Sequence, residues 1–464
     1  MEQRLKDSTQ PDYQATSART PLRINEPSND SASPSTNANA RSPNFETGAP
    51  QNAGINVLTA AVFVAGEMAG SGVLALPKAV VDSGWIGIFI VIICCINAGY
   101  GGSRLGECWA ILEERYPEYR GNTRNPYATI AERAVGKWGS YLVSVCMQIT
   151  LFGASIVYLL LAAQLVQDLL IVVFPSVGFC WWFLIFAVGL IPAMWLGSPK
   201  DFWLVGVGAL LSTTVAVVFI ATQMLIDGLN LEKLPRHRPH SFKEFFLAFG
   251  TILFAFGGAS TFPTIQNDMV HREKFSKSVM IAFIAITGLY SPLVIGGYYI
   301  YGDSIQPNVV MSLSHTTLVS LANIAMAIHL ILAFLIIINP VCQDLEEMLR
   351  VPHEFCLKRC IVRTCMIMLM IIVGATVPRF SKILSLVGGS TITLTTFVLP
   401  NYFYLKLSDQ RAPNWPVREV PLHMRVYMYE LIGIGLVGGC CSTYSALIDM
   451  VGPDSFTKPC YWPN

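Results

Sequence analysis

Charge is what this chain has least of. Only 13% of its 464 residues are Asp, Glu, Lys or Arg, where a soluble globular domain carries about a quarter. A net charge of +1 leaves no bulk electrostatic attraction to nucleic acid. The twelve cysteines show no spacing that reads as a zinc site. The loops contain no nucleophile–base motif and no metal-ligand cluster, so the marks of a membrane enzyme are missing and no cofactor is called for. The first 52 residues have few large apolar side chains and are rich in Ser, Pro, Asn, Thr and Ala. Such a segment cannot bury enough surface to fold, and is expected to be a disordered cytoplasmic tail rather than a signal peptide.

What the chain has instead is hydrophobic length, with 53% of its residues apolar. Apolar runs recur at Ile55–Val80, Ile86–Gly106, Tyr141–Leu161, Val177–Leu196, Phe202–Ile226, Phe245–Asn267, Val279–Tyr301, Leu318–Pro340, Ile361–Val377, Ile383–Leu405 and Val426–Val451. Each is near the roughly 20 residues that cross a bilayer as a helix. The pattern predicts an all-α integral membrane protein with eleven transmembrane helices over 53–452, and a short external or lumenal tail over 453–464. Basic residues concentrate in alternate loops, with Arg115, Arg120, Arg133, Arg272, Arg350, Arg359 and Arg411 on the side of the N-terminus. By the positive-inside rule that side is cytoplasmic, and the Lys233–Lys243 loop is the exception. Of the cysteines, only Cys180 and Cys460 fall on the opposite, oxidising side, where a disulfide between them can form. Within the loops, Tyr127–Val135 has helical periodicity suited to lying along the membrane surface. Met348–Arg363 reads equally as an interfacial helix or a solvated loop.

Two of the runs are interrupted by tiny residues at mid-membrane depth. The first carries Ala69-Gly70-Ser71-Gly72 followed by Pro77, and the sixth carries Gly257-Gly258-Ala259-Ser260. Isolated glycines are commonly helix-packing residues, but paired breaks in corresponding spans point to a transporter site between internal repeats. The spans divide as five plus five plus one, and a five-span unit repeated in this way is inverted in the membrane. Unwinding at Ala69–Gly72 would free backbone N–H groups for a carboxylate, helped by the dipole of the following half-helix. Unwinding after Phe254, Ala255, Phe256 and Gly257 would free carbonyls for an ammonium group or a cation.

Glu67 lies three residues before Gly70, near the centre of its span. A carboxylate there must be protonated or paired. It is either a structural acid bonded to a neighbouring helix or a proton-coupling group. His329 lies at similar depth in the eighth span, as a packing residue or as a relay partner if it meets Glu67. Asn97, Gln148, Gln223 and Asn323 read as interhelical hydrogen-bonding groups. Glu107, Asp168, Asp227 and Asp268 sit near span ends, where solvated charge is the default.

The run from Gly70 to Ala79, GSGVLALPKA, resembles the Gly-x-Gly-x-Leu-x-Leu-Pro-x-Ala signature of the amino acid/auxin permease family. Phe254–Gly258 with Pro263–Met269, Asn339-Pro340, and Leu386–Gly389 through Phe397–Pro400 resemble that family's sixth, eighth and tenth spans. The resemblance covers roughly residues 53–450. Asn125-Pro126-Tyr127 and Val157–Leu161 resemble its proton-coupled and vacuolar or lysosomal branches. It implies a LeuT-like 5+5 inverted repeat with broken helices 1 and 6 plus one extra helix. It further implies secondary active amino acid transport coupled to protons or sodium. A LeuT-like sodium site takes Ser or Thr oxygens from the eighth span, yet Leu321–Pro340 contains neither, which favours protons. Three functional readings stand: a proton-coupled amino acid symporter working by alternating access, a sodium-coupled amino acid transporter or passive facilitator, and an amino acid sensor signalling through the N-terminal tail. The plasma membrane and the lysosomal or vacuolar membrane are both open.

Overall fold

The computed structural model describes residues 54–121, 123, 125–195, 202–352, 355–452 and 459–461, with no side chains described for 202–205. The expected tail over 1–52 lies outside the described residues, as does most of 453–464. Among the described residues, sixteen α-helices follow one another. The first five are α1 (Val57–Met68), α2 (Gly72–Asp82), α3 (Ile86–Arg115), α4 (Pro126–Val135) and α5 (Lys137–Leu170). Next come α6 (Phe179–Gly189), α7 (Ile191–Trp195), α8 (Phe202–Leu229), α9 (Phe242–Ala255), α10 (Phe262–Asn267) and α11 (Phe275–Gly296). The series ends with α12 (Thr317–Met348), α13 (Leu357–Thr376), α14 (Phe380–Val387), α15 (Leu399–Asp409) and α16 (Leu422–Val451). A π-helical stretch, Gly388–Val398, joins α14 to α15 into one continuous rod. No strand occurs among the described residues beyond a single bridge between Ile55 and Met269.

Eight of these helical stretches are long and apolar enough to cross a membrane, and α1 with α2 forms a ninth, bent by 60° at its break. The outer faces of α3, α13 and α16 expose Ile93, Ile96, Leu369, Ile372, Ile434 and Val437. Apolar surface so extensive is expected against lipid rather than water. The α5 helix and the α14–π–α15 rod run through the interior instead. Helix starts are fixed locally. The Asn56 side chain accepts the Thr59 N–H at 2.8 Å to cap α1. Ser241 and Glu244 form a reciprocal capping box at the start of α9. Glycine brings the rod hard against α9, where a Cβ on Gly388 would lie 2.0 Å from the Gly250 carbonyl oxygen.

The polar residues inside the spans are tied across helices. Asn97 accepts from the Tyr427 hydroxyl, Gln148 bonds Asp344, and Asn323 donates to Asp168 at 2.8 Å. Gln223 bonds Asp227 within its own helix and accepts from Thr316, both at 2.8 Å. Arg363 is buried and donates to Glu346 at 2.5 Å, to the Met194 carbonyl at 2.8 Å and to Asn339 at 3.2 Å. That one guanidinium gathers α7, α12 and α13 at one end of the molecule.

The structure departs from the sequence pattern in two places. The α4 helix does form, but its apolar face packs on the protein. Tyr127 is buried and its hydroxyl donates to the Thr395 carbonyl at 2.5 Å, so the rod rather than lipid takes this face. The α5 helix runs to Leu170, well past the apolar run that ends at Leu161, because Gln164 and Asp168 interrupt hydrophobicity without interrupting the helix.

Cys180 and Cys460 are joined by a disulfide across 280 positions, with Cα atoms 5.5 Å apart. The Cys460 N–H also donates to the Ala375 carbonyl at 2.8 Å, so Cys460 is tied to both α6 and α13. Peptide mapping should recover Cys180 and Cys460 as one cross-linked species that reductant separates. Cys460→Ser should lower unfolding stability by about 2–4 kcal/mol, read as a fall in the thermal midpoint that reductant reproduces in the wild-type protein.

Candidate functional site

The α1 helix stops at Met68 because the chain turns sharply. The Ala69 N–H returns to the Ala65 carbonyl at 2.9 Å and the Gly70 N–H to the Met68 carbonyl at 2.7 Å. Hydrogen bonding resumes only at Val73, whose N–H reaches the Gly70 carbonyl at 3.2 Å, followed by Leu74 to Ser71 at 3.3 Å. The Ser71 hydroxyl at the corner is buried beside the Tyr158 hydroxyl. The α9 helix stops in the same way. The Phe256 N–H reaches the Leu253 carbonyl at 3.3 Å and that of Gly257 reaches Phe254 at 2.9 Å, and helix returns only at Phe262.

The two breaks touch. A Cβ on Gly72 would lie 2.7 Å from the Ala255 Cα, and one on Gly258 would lie 3.0 Å from the Met68 side chain. Two buried tyrosines close the assembly. The Tyr290 hydroxyl, from α11, donates to the Met68 carbonyl at 2.8 Å and lies 3.1 Å from the Ala255 carbonyl, so one group serves the loose ends of both half-helices. Tyr158, from α5, covers the first break, and a Cβ on Gly70 would sit 2.2 Å from its hydroxyl.

Below the breaks lies a cavity of about 470 Å³ whose wall includes Glu67, Tyr158, Thr261, Thr264, Asp268 and Asn339. That is within the range of small-molecule sites. Glu67 is half-buried on this wall, and among the described residues no hydrogen bond or ion pair reaches its carboxyl. Asp268 marks the far end of the cavity, outside the spans. Burial raises its pKa against the opposing pull of Arg272. His329 lies behind the wall, fully buried. Its Nδ1 donates to the Ala209 carbonyl at 2.9 Å, and its Nε2 has no partner. Its ring centroid is 6.3 Å from that of Tyr158.

The residues expected at the site are thus gathered in space, but in layers. Ala69–Gly72 and Phe254–Gly257 lie against each other and form no part of this cavity's wall. Glu67 faces the cavity, and among the described residues no hydrogen bond or ion pair joins it to His329. Of the carbonyls proposed for an ammonium group, Phe254 already accepts from Gly257 and Ala255 from Tyr290. Nothing in the sequence singles out Tyr290, and Tyr158 stands out in it only within the Val157–Leu161 run. The one signal available was that a tyrosine in an apolar span brings a hydroxyl that needs a partner.

Interior apolar helices, one of them broken beside a cavity with a membrane-depth carboxyl, define a multi-span membrane protein with a central site. A crystal structure of a mutant manganese transporter from Eremococcus coleocola shares this fold, with a TM-score of 0.53 at 10% identity over 85% of this chain and 88% of that one. The chain belongs to the transmembrane amino acid transporter protein family, whose model matches residues 53–445. Similar curated proteins include the Arabidopsis thaliana amino acid transporter AVT1E, 25% identical over 86% of this chain and 72% of that protein. Another is amino acid transporter AVT1I from the same plant, 22% identical over 83% of this chain and 93% of that protein. As a member of a transporter family the protein is not an enzyme.

Gly70→Ala and Gly72→Ala should each destabilise the folded protein by about 1–3 kcal/mol through overpacking. They should differ in rescue. Tyr158→Phe removes the atom that Gly70→Ala strikes and should recover part of its loss in a double-mutant cycle. It should do nothing for Gly72→Ala, which strikes the α9 backbone. Thermal unfolding of the three single and two double variants checks this.

Proposed function

We propose that the protein is a secondary active amino acid transporter that couples uptake to protons by alternating access. The observation that carries this reading is the unpaired Glu67 carboxyl, one turn before the break between α1 and α2, on the wall of a cavity that Tyr158 also lines. A carboxyl at this depth is neutral unless solvated or paired. It can therefore take a proton when the cavity is wet and release it when the site turns to the other face. The α-carboxylate of an amino acid would take the N–H groups of Gly70–Gly72 once the Tyr158 hydroxyl moves aside, with Ala69 and Ser71 shaping the turn. Its ammonium group would approach the carbonyls between Phe254 and Gly257, whose second lone pairs stay available. His329, whose ring lies beside that of Tyr158, would sense that displacement and share the proton with Glu67 once Tyr158 has moved.

The same reading arranges the helices as eleven spans. The α6–α7 and α9–α10 pairs count as one crossing each, and a 5+5 inverted repeat of the LeuT kind opens on α1–α2 and α9–α10. The transport domain is residues 53–452. The N-terminus is cytoplasmic, which places the disulfide in an oxidising compartment, as disulfide chemistry requires. Either the plasma membrane or a lysosomal or vacuolar membrane meets that condition. Protons are favoured over sodium because Leu321–Pro340 offers no Ser or Thr oxygen.

The test is uptake of labelled amino acids into liposomes holding the purified full chain, with pH and sodium gradients imposed separately. Wild-type protein should concentrate substrate under the pH gradient alone. Glu67→Gln should lose concentrative uptake while still exchanging amino acid across the membrane. Concentration driven only by sodium, or unchanged proton-driven uptake in Glu67→Gln, would overturn the coupling.

A further inference from the structure

A second cavity, of about 580 Å³, opens at the disulfide end of the molecule. It is separate from the Glu67 cavity, and α5 divides them. Tyr158 faces one, while Leu160, Gln164 and Asp168 face the other. Gln164 and Asp168 are four apart, on one face of α5.

The charges around this cavity are not mutually neutralised. Lys382 and Asp449 form one pair at 3.4 Å, and Asp449 also holds Lys243 at 2.8 Å. That leaves Arg379 and Asp168, both on the wall. Among the described residues no ion pair joins them to each other or to any other group. Asp168 receives one hydrogen bond, from Asn323. Arg379 is the residue immediately before α14, whose N-terminus has no side-chain cap. The guanidinium and the helix dipole therefore favour negative charge at the same spot.

Two further wall residues present unsatisfied groups of opposite kind. Asn308 is buried and its Oδ1 accepts the Val310 N–H at 3.2 Å, but its Nδ2 has no acceptor. The Gln164 Oε1 is likewise buried without a donor. Buried polar groups are nearly always satisfied. An unmet donor and an unmet acceptor, with an unpaired cation and a singly bonded carboxylate, in a space of ligand size, specify a small molecule carrying both charges.

We propose that this cavity is a second binding site for a free zwitterionic amino acid, its carboxylate on Arg379 and the α14 N-terminus and its ammonium group on Asp168 and Gln164. The proposal rests on amino acids being the substrate, and adds a site outside the broken-helix region. It also gives the disulfide a local role. Phe179, next to Cys180, is on the wall, and Cys460 bonds Ala375, three residues before Pro378 on the same wall. The cross-link thus holds the rim.

Equilibrium dialysis of the purified full-length protein against an equimolar ¹³C-labelled mixture of the twenty common amino acids, read by mass spectrometry, counts the amino acids bound per chain. Thermal unfolding without ligand confirms that each variant is folded. Wild type should bind close to two, and Arg379→Gln or Asp168→Asn close to one. Arg379→Lys should fall between, keeping the charge but not the fork. Gly72→Val should lose the broken-helix site and retain the Arg379-dependent one. A count of one that is lost in Gly72→Val and unchanged in Arg379→Gln and Asp168→Asn would overturn the second site and leave the proposed function standing. A count of one that is lost in Arg379→Gln and kept in Gly72→Val would support the second site and overturn substrate binding at the breaks. No binding by folded wild type would overturn both.

Discussion

Inside a bilayer no water is at hand to satisfy a backbone carbonyl, and each one left unmet is costly. A transporter that unwinds two helices at mid-depth creates several such groups at once. Here the Tyr290 hydroxyl answers two of them, Met68 and Ala255, from a third helix. Most of the central architecture follows from that one contact. It requires the breaks to lie side by side, which they can do only because Gly72 has no side chain against Ala255. It also makes α11 a brace for both broken helices, so that either one gives up its partner if it shifts away from α11.

The ends of the molecule are held by different means. At the Asp268 end, a single buried guanidinium, Arg363, collects Glu346, Asn339 and the Met194 carbonyl. At the disulfide end, charges are spread among Lys78–Asp82, Arg238–Glu244 and Lys243–Asp449 pairs, each at 2.7–2.8 Å. Glu244 shows the balance struck there. Burial pushes its carboxyl up, but the Ser241 hydrogen bonds and the nearby Arg238 and His240 hold it below its ordinary value. Paired surface charges of this kind contribute little individually and exchange readily with water. Removing one partner of a buried pair costs about 3–5 kcal/mol. The disulfide end is therefore the one that can be rearranged at low cost, and the covalent cross-link limits how far.

The breaks were legible because Gly-Ser-Gly and Gly-Gly-Ala-Ser are compositional anomalies in apolar runs, and Glu67 because a lone acid in such a run must be either protonated or paired. The tyrosines were not legible. A buried tyrosine and a packing aromatic look alike in one dimension, and Tyr290 meets Met68 across 222 positions. The face of α4 was ambiguous for a related reason, since amphipathic periodicity says that one side is buried but not whether lipid or protein buries it. Hydropathy also cut α5 short at the point where Gln164 and Asp168 begin, hiding the residues that give the second cavity its polarity.

The position of α5 decides how the two cavities relate. It is the long helix with nearly every residue from Gly153 to Ala163 buried, so it is poorly placed to swing. The broken pairs, with short helices and open turns, are better placed to do so. If α5 stays while they move, Tyr158 is a fixed plug and the Gly70 corner moves relative to it. Opening toward one end then means withdrawing the corner from the hydroxyl, and closing means pressing it back. Small side chains at Ala69–Gly72 matter on this account less for backbone freedom than for clearance. A single added methyl at Gly70 occupies the space through which the plug and the corner must separate.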